Sequence, residues 1–517
     1  MVKRNWLMAW LAILMGGLTA QADVRLPAII GNNMVLQSDM PLPIWGWADP
    51  GEEVKVRLGS SEASTKAGPD GKWRVTLPAQ KANAKPTEVT VTGKNSIKLT
   101  NVLVGEVWAG SGQSNMQWSV AMSKDKDKEI QEAKYPNIRL FLVPLRLSPY
   151  PLEDVEARWV ECSPETVPNF SAVLYFFGRE IYLKEKVPVG LIAVSWGGSR
   201  IQSWITYDQY AAQPELKGEL AEFDKAKADR QKVMETRKQL FPAVKAWVAA
   251  AEKALADGKD LPDGPSIPAD PLNQFGSHSG MYNGMVHALV PYAIRGFLWY
   301  QGESNRGQGM HYHQLMRGLI TNWRKLWNQG DFPFLYVQLA PYHYDNNETL
   351  LPEIWEAQTE TLKIPATGMA VTTDITTVRD IHPPNKQDVG KRLALWALAH
   401  TYGHKDLVHS GPLYESMAVE GNKIRVKFKH LGGGLVANDG KALTWFSIAG
   451  EDKQFHPATA TIDGDSVLVT SPNVAKPVAV RFGWNQDAEP NFANKAGLPA
   501  SPFRTDRWTD AKNAPAN

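Results

Sequence analysis

The 517-residue chain contains one cysteine, Cys162, which excludes an intrachain disulfide. Its domains must therefore be held by ordinary hydrophobic cores. No glycine turn surrounds Cys162, and Ser163-Pro164 follow it as a turn signal, so a structural role is expected rather than a nucleophilic one. An excess of charge is also missing. The 56 Lys and Arg residues nearly balance the 54 Asp and Glu, for a formal net charge of +2. No basic run of useful length occurs, which argues against nucleic acid as a partner. Beyond the N-terminus there is no apolar run near the roughly 20 residues that a bilayer span needs, so no stable membrane anchor is expected.

The N-terminus has its own pattern. Lys3 and Arg4 precede an apolar run from Trp6 to about Leu18, and Ala20-Gln21-Ala22 gives a small-x-small site before Asp23. These features predict a signal peptide over residues 1–22, cleaved after Ala22, and so an exported protein, periplasmic or secreted. The absence of a cysteine near that site argues against a lipid anchor. About 495 residues then remain, enough for two or three domains.

Residues 23–103 read as β-sandwich-like. Short alternating runs such as Val54-Lys55-Val56-Arg57-Leu58 and Trp73-Arg74-Val75-Thr76-Leu77 are separated by Asp49-Pro50-Gly51 and Pro69-Asp70-Gly71. From 104 to 405 the pattern becomes α/β. Apolar runs at 106–109, 189–194, 296–300, 334–338 and 368–371 alternate with helical segments at Ser171–Glu185, Tyr312–Trp327 and Asp388–His400. Near-continuous apolar strands alternating with helices predict a doubly wound parallel sheet. A helical insertion at about 205–270 interrupts the alternation and reads as two helices broken near Pro242. Residues 406–517 return to β patterning, either as a separate domain or packed with the N-terminal one.

Four polar clusters fall at the carboxyl ends of the predicted parallel strands, where open α/β sheets bind ligands. Gly110-Ser111-Gly112-Gln113-Ser114-Asn115-Met116 offers Ser114 as a nucleophile in a sharp turn, without the second glycine of the Gly-x-Ser-x-Gly elbow. Ser195-Trp196-Gly197-Gly198-Ser199-Arg200 offers backbone N–H donors for an oxyanion. Trp299-Tyr300-Gln301-Gly302-Glu303-Ser304-Asn305 offers Gln301 or Asn305 as a donor and Glu303 as an orienting group or sugar ligand. Asp380-Ile381-His382-Pro383-Pro384-Asn385-Lys386 offers His382 as a general base beside an acid.

The ordered set Gly-Gln-Ser-Asn-Met, Ser-Trp-Gly-Gly-Ser, Trp-Tyr-Gln-Gly-Glu-Ser and Asp-Ile-His-Pro resembles the sialate O-acetylesterase family, a branch of the SGNH hydrolases. The resemblance spans nearly the whole mature chain. It implies that Ser114 attacks an acetyl carbonyl and His382 takes the proton and passes it to the leaving sugar oxygen. The Ser114 and Gly198 N–H groups and the Gln301 side chain would form the oxyanion hole. Gln113, Asn115, Glu303 and Asn305 are expected to bind substrate. The partner is an acetylated sugar or glycan, and no cofactor or metal is called for. One departure stands out. The general pattern places the acid three residues before the histidine, where this chain has Arg379, so Asp380 fills the role from two residues away. Asp374, or a Ser–His dyad oriented by a backbone carbonyl, is the fallback.

Three other readings compete. A polysaccharide such as acetylated xylan would use the same machinery, with Trp118, Trp204 and Trp299 as candidate sugar platforms. A non-catalytic glycan-binding protein would need no serine and histidine at strand ends. His311-Tyr312-His313 suggests a metal hydrolase, but histidines at i and i+2 do not share a helix face.

Overall fold

The strand that ends at the Gly-Gln-Ser-Asn cluster, β1 (Ser96–Gly112), is 17 residues long and belongs to two layers at once. Its first half pairs antiparallel with Asn83–Thr92 in the N-terminal β region. Its second half is buried throughout and sits in the middle of a parallel sheet. The sequence changes accordingly, from alternation at Ile97-Lys98-Leu99-Thr100 to the unbroken run Val107-Trp108-Ala109, because only the second half is covered on both faces. The computed structural model describes residues 23–508; the expected signal peptide, residues 1–22, lies outside them.

The sheet continues with β2 (Tyr135–Leu142), β3 (Trp159–Cys162), β4 (Val189–Ser195), β5 (Gly296–Tyr300), β6 (Phe334–Val337) and β7 (Thr367–Ala370). Their spatial order is β7-β6-β5-β1-β4-β2-β3, parallel except for the final β2–β3 pair. Chain direction across the sheet reverses at β1. There Gly112 pairs in register with Ser195 of β4 on one side and Tyr300 of β5 on the other. Three polar loops therefore leave the sheet side by side.

Helices cover both faces. Trp108 and Gly110 of β1 face Phe177 and Leu174 of α1 (Ala172–Glu185). Phe297 and Trp299, whose register mates on β1 are Ala109 and Ser111, pack on Trp323 of α3 (His311–Trp327) from the other side. Two further helices that cover the sheet are α4 (Leu350–Thr361) and α5 (Lys386–His400), the latter packed on α1.

Between α1 and α3 stands α2 (Lys217–Ala256), 40 residues that run unbroken through Pro242. The expected break is absent. Pro242 and its neighbours Phe241 and Ala243 are exposed, so water can satisfy the carbonyl that loses its i+4 partner. The N-terminal β region shares the core of the α/β layers. The C-terminal strands, among them Lys423–Lys429 and Ser466–Thr470, enclose a core of their own around Ile424, Val426, Val467 and Phe482. No helix among the described residues is long and apolar enough to cross a membrane.

Candidate active site

Gly112 takes φ +137°, and a Cβ on it would lie 2.1 Å from the Tyr300 carbonyl oxygen, so only glycine lets β1 turn here. The next residue, Gln113, donates its backbone N–H to that same oxygen at 3.0 Å. Ser114 then opens a single helical turn, Ser114–Gln117. His382 reaches it from the loop before α5, and its Nε2 lies 2.8 Å from Ser114 Oγ. That is hydrogen-bond distance for proton transfer from a serine hydroxyl to an imidazole. Trp118 stacks on the His382 ring, with centroids 4.7 Å apart and planes 18° from parallel.

The Ser195–Arg200 loop closes over the serine. A Cβ on Gly197 would lie 3.3 Å from Ser114 Cβ. Gly198 has φ +74°. Among the described residues, neither the Ser114 nor the Gly198 backbone N–H has a hydrogen-bond acceptor. Free N–H groups beside a nucleophile are what an oxyanion requires.

Asp380 sits close to His382 without gripping its ring. Its Oδ1 is 3.9 Å from His382 Nδ1, too far for a hydrogen bond, and accepts the His382 backbone N–H at 2.9 Å instead. The two-residue offset folds the carboxylate back onto the main chain in an Asx turn. Asp374 is engaged elsewhere, in a two-point ion pair with Arg392 of α5 at 2.6 and 2.7 Å. Asp380→Asn should accordingly lower kcat/KM by no more than about tenfold, against about 10⁴ for loss of an acid bonded to the imidazole. A thousandfold loss with an unchanged melting temperature would show that the carboxylate does orient the ring.

The neighbouring amides, expected to serve the oxyanion or the substrate, bond extensively to one another. Gln301 is fully buried, and its Nε2 lies 2.7–3.0 Å from Asn305 Oδ1, Gln113 Oε1 and Ser199 O. Both its amide hydrogens have acceptors at hand, so it is not a free oxyanion donor. Gln113 Oε1 also receives the N–H groups of Gly302 and Ser304 at 3.4 and 3.3 Å. Asn305 donates to Gln202 and Gln308 and accepts from Ile201 N–H. Gln113 Oε1, the Gln301 amide and the Asn305 amide thus tie the three strand-end loops together.

Asn115 and Glu303 also lie below the serine. Asn115 Nδ2 donates to Glu303 Oε1 at 2.6 Å and to the Ile381 carbonyl at 2.9 Å, while Lys386 Nζ donates to Asn115 Oδ1 at 2.5 Å. Lys386 is fully buried against the faces of Trp118 and Tyr300. Burial pulls its ammonium down to about 7 and pushes the Glu303 carboxyl above the usual carboxylate range. Glu303 Oε2 is buried with no partner. Sequence reasoning gave Lys386 no role. It lies beside the rigid prolines, but a lysine that opens a helix is ordinarily solvated, and only tertiary packing shows it buried.

Other candidates resolve as follows. Trp204 and Trp299 are buried and pack on each other, which removes them as sugar platforms. Cys162 is buried and its thiol is pushed up to about 12, so it is no nucleophile at neutral pH. His311 pairs with Glu219 at 2.6 Å and His313 with Thr361 at 3.1 Å, in separate surroundings. No group of three metal-ligating side chains occurs among the described residues.

Comparison with known proteins places this geometry in context. A family model described as carbohydrate esterase, sialic acid-specific acetylesterase, matches residues 267–399, which include the Gln301–Asn305 loop and His382. A sialate O-acetylesterase of Rattus norvegicus is 31% identical over 431 residues, covering 75% of this chain and 76% of that protein. The Homo sapiens sialate O-acetylesterase is 30% identical over 452 residues, covering 80% and 77%. A crystal structure of a carbohydrate acetylesterase from Xanthomonas citri superposes with a TM-score of 0.79 at 34% identity, covering 94% of this chain and all of that one.

Proposed function

From the premise that the chain belongs to the sialate O-acetylesterase family, and is thus a carboxylic ester hydrolase acting on acetylated sugars, we propose that it is an exported SGNH-type enzyme that removes O-acetyl groups from sialic acids through Ser114 and His382. The observation that carries this reading is the 2.8 Å approach of Ser114 Oγ to His382 Nε2 at the reversal point of the sheet.

In this mechanism Ser114 Oγ attacks the acetyl carbonyl carbon as His382 Nε2 takes its proton. The carbonyl oxygen becomes an oxyanion held by the Ser114 and Gly198 N–H groups. Collapse breaks the ester C–O bond, and His382 returns the proton to the departing sugar hydroxyl. Water, deprotonated by His382, then attacks the acetyl-serine, releasing acetate and restoring Ser114. His382 acts without a carboxylate on Nδ1. Trp118 stacking and the loop's main-chain bonds orient it.

The test is acetate release from a panel of O-acetylated sialic acids and acetylated xylan, measured on periplasmic and culture-medium fractions and on purified protein. Release from xylan alone would remove the sialate assignment. Activity confined to the cytoplasm would remove export. The second reading, an esterase for another acetylated saccharide, is favoured by the likeness to the Xanthomonas citri carbohydrate acetylesterase over nearly the whole chain.

A pH dependence follows from the base. Partial burial, with the nearby Lys386 ammonium, holds His382 below its ordinary value, and Asp380 opposes this more weakly. Only the neutral imidazole accepts the serine proton. The acid limb of kcat/KM should therefore rise with pH, have its midpoint below about 6.5, and be flat above it. A midpoint above 7 on a non-ionising acetate ester would contradict His382 as the base.

A further inference from the structure

Nucleophile, base and oxyanion donors all come from the α/β frame, but one wall of the site does not. Phe275 lies in the segment that follows α2, in a turn closed by Ser277 N–H donating to Gln274 O at 3.0 Å. Gly276 occupies the next position with φ +85°, the left-handed conformation that such a turn demands and that favours glycine. The turn is held from both sides. Upstream, Asp270 is gripped by Arg230 of α2 at 2.8 and 3.0 Å and accepts the Leu272 N–H at 3.0 Å. Downstream, Ser279 donates its Oγ to Ile205 O at 2.6 Å and its N–H to Gln202 O at 3.2 Å. These bonds join the turn to the stretch that begins with the oxyanion loop.

The consequence is a ring set over Gly198. A Cβ on Gly198 would lie 3.5 Å from Phe275 Cζ. Trp196 meets the same ring edge-on, with centroids 5.7 Å apart and planes at 66°. Phe275 nevertheless remains 52% exposed. It is not core, and among the described residues no ring but that of Trp196 stacks on it or meets it edge-on. A large apolar ring left in water beside reacting atoms is a surface built for a ligand, and the C–H face of a pyranose is a chemical match for it. The tryptophans that would otherwise take this task are buried or stacked on His382.

We propose that Phe275, backed by Trp196, is the platform on which the sugar ring of the acetylated substrate stacks, a subsite that the helical insertion delivers to the α/β frame. The proposal rests on the esterase reading and adds to it the residue that favours sugars over simple esters.

The experiment compares kcat/KM for an O-acetylated sugar with that for ethyl acetate, whose leaving group has no ring to stack. Phe275→Ala should lose about tenfold on the sugar ester, mainly through KM, and stay within about twofold on ethyl acetate. Phe275→Trp should retain sugar activity. Gly276→Ala, which meets no atom within 4 Å but is strained at φ +85°, should mimic Phe275→Ala by moving the ring. Equal losses on both esters, or none on the sugar ester, would overturn the platform and leave the esterase standing. A wild-type protein inactive on both esters would instead overturn the esterase reading.

Discussion

Ser114→Ala is expected to lower kcat by about four to six orders of magnitude while leaving the melting temperature unchanged. The size follows from chemistry, since without the hydroxyl no acetyl-enzyme can form and the residual rate comes only from the two N–H donors acting on an attacking water. The unchanged stability follows from packing. Ser114 Oγ has His382 Nε2 as its hydrogen-bond partner, and the half of the interaction lost is a solvent-accessible one. Alanine keeps the Cβ against which Gly197 packs and suits the first position of the Ser114–Gln117 turn. His382→Ala should cost a similar factor, and the double variant little more, because the two groups act as a unit. The check is single-turnover acetate release alongside a thermal melt. A Ser114→Ala protein that keeps most of its activity would move the nucleophile elsewhere.

How far the sequence reaches is clearest at the three loops around Gly112. Parallel strands covered on both faces must be apolar along their length, so the polar clusters at 113–116, 196–200 and 301–305 stood out, and their position at strand ends put them together. For that reason Ser114 and His382 could be expected at one end of the sheet, and the fold brings them to 2.8 Å. The direction of the amide side chains was not legible. Polar residues crowded at a strand end can face a ligand or satisfy one another, and Gln301 and Asn305 do the second. Spacing does not distinguish these cases, because both need the same residue types at the same turn. Phe275 was hidden for a different reason. It follows the helical insertion, in a segment without strand or helix periodicity, and its closeness to Gly198 arises only when the bonds of Asp270 and Ser279 fix the path of the chain. The continuity of α2 through Pro242 was masked because a proline break is decided by whether the freed carbonyl meets water or protein.

The second large effect is expected beneath the serine, where Lys386, Asn115 and Glu303 form a buried network that bonds the main chain next to His382. Both Asn115 amide hydrogens are assigned, one to Glu303 Oε1 and one to the Ile381 carbonyl, and its oxygen takes Lys386 Nζ. That pattern fixes the amide in one orientation and clamps the main chain one residue before His382. Asn115→Asp should lower kcat/KM by about 10²–10³, since a carboxylate there faces Glu303 and has no donor for Ile381 O. Lys386→Met should cost less in rate but have a distinct signature. The Lys386 ammonium helps hold His382 low, so its removal should move the acid limb of kcat/KM toward higher pH. A merely structural lysine would change the melting temperature and leave that limb in place. If Lys386→Met leaves the profile where it was and Asn115→Asp remains within tenfold of wild type, the clamp is dispensable, and His382 is oriented by Trp118 and its own loop alone.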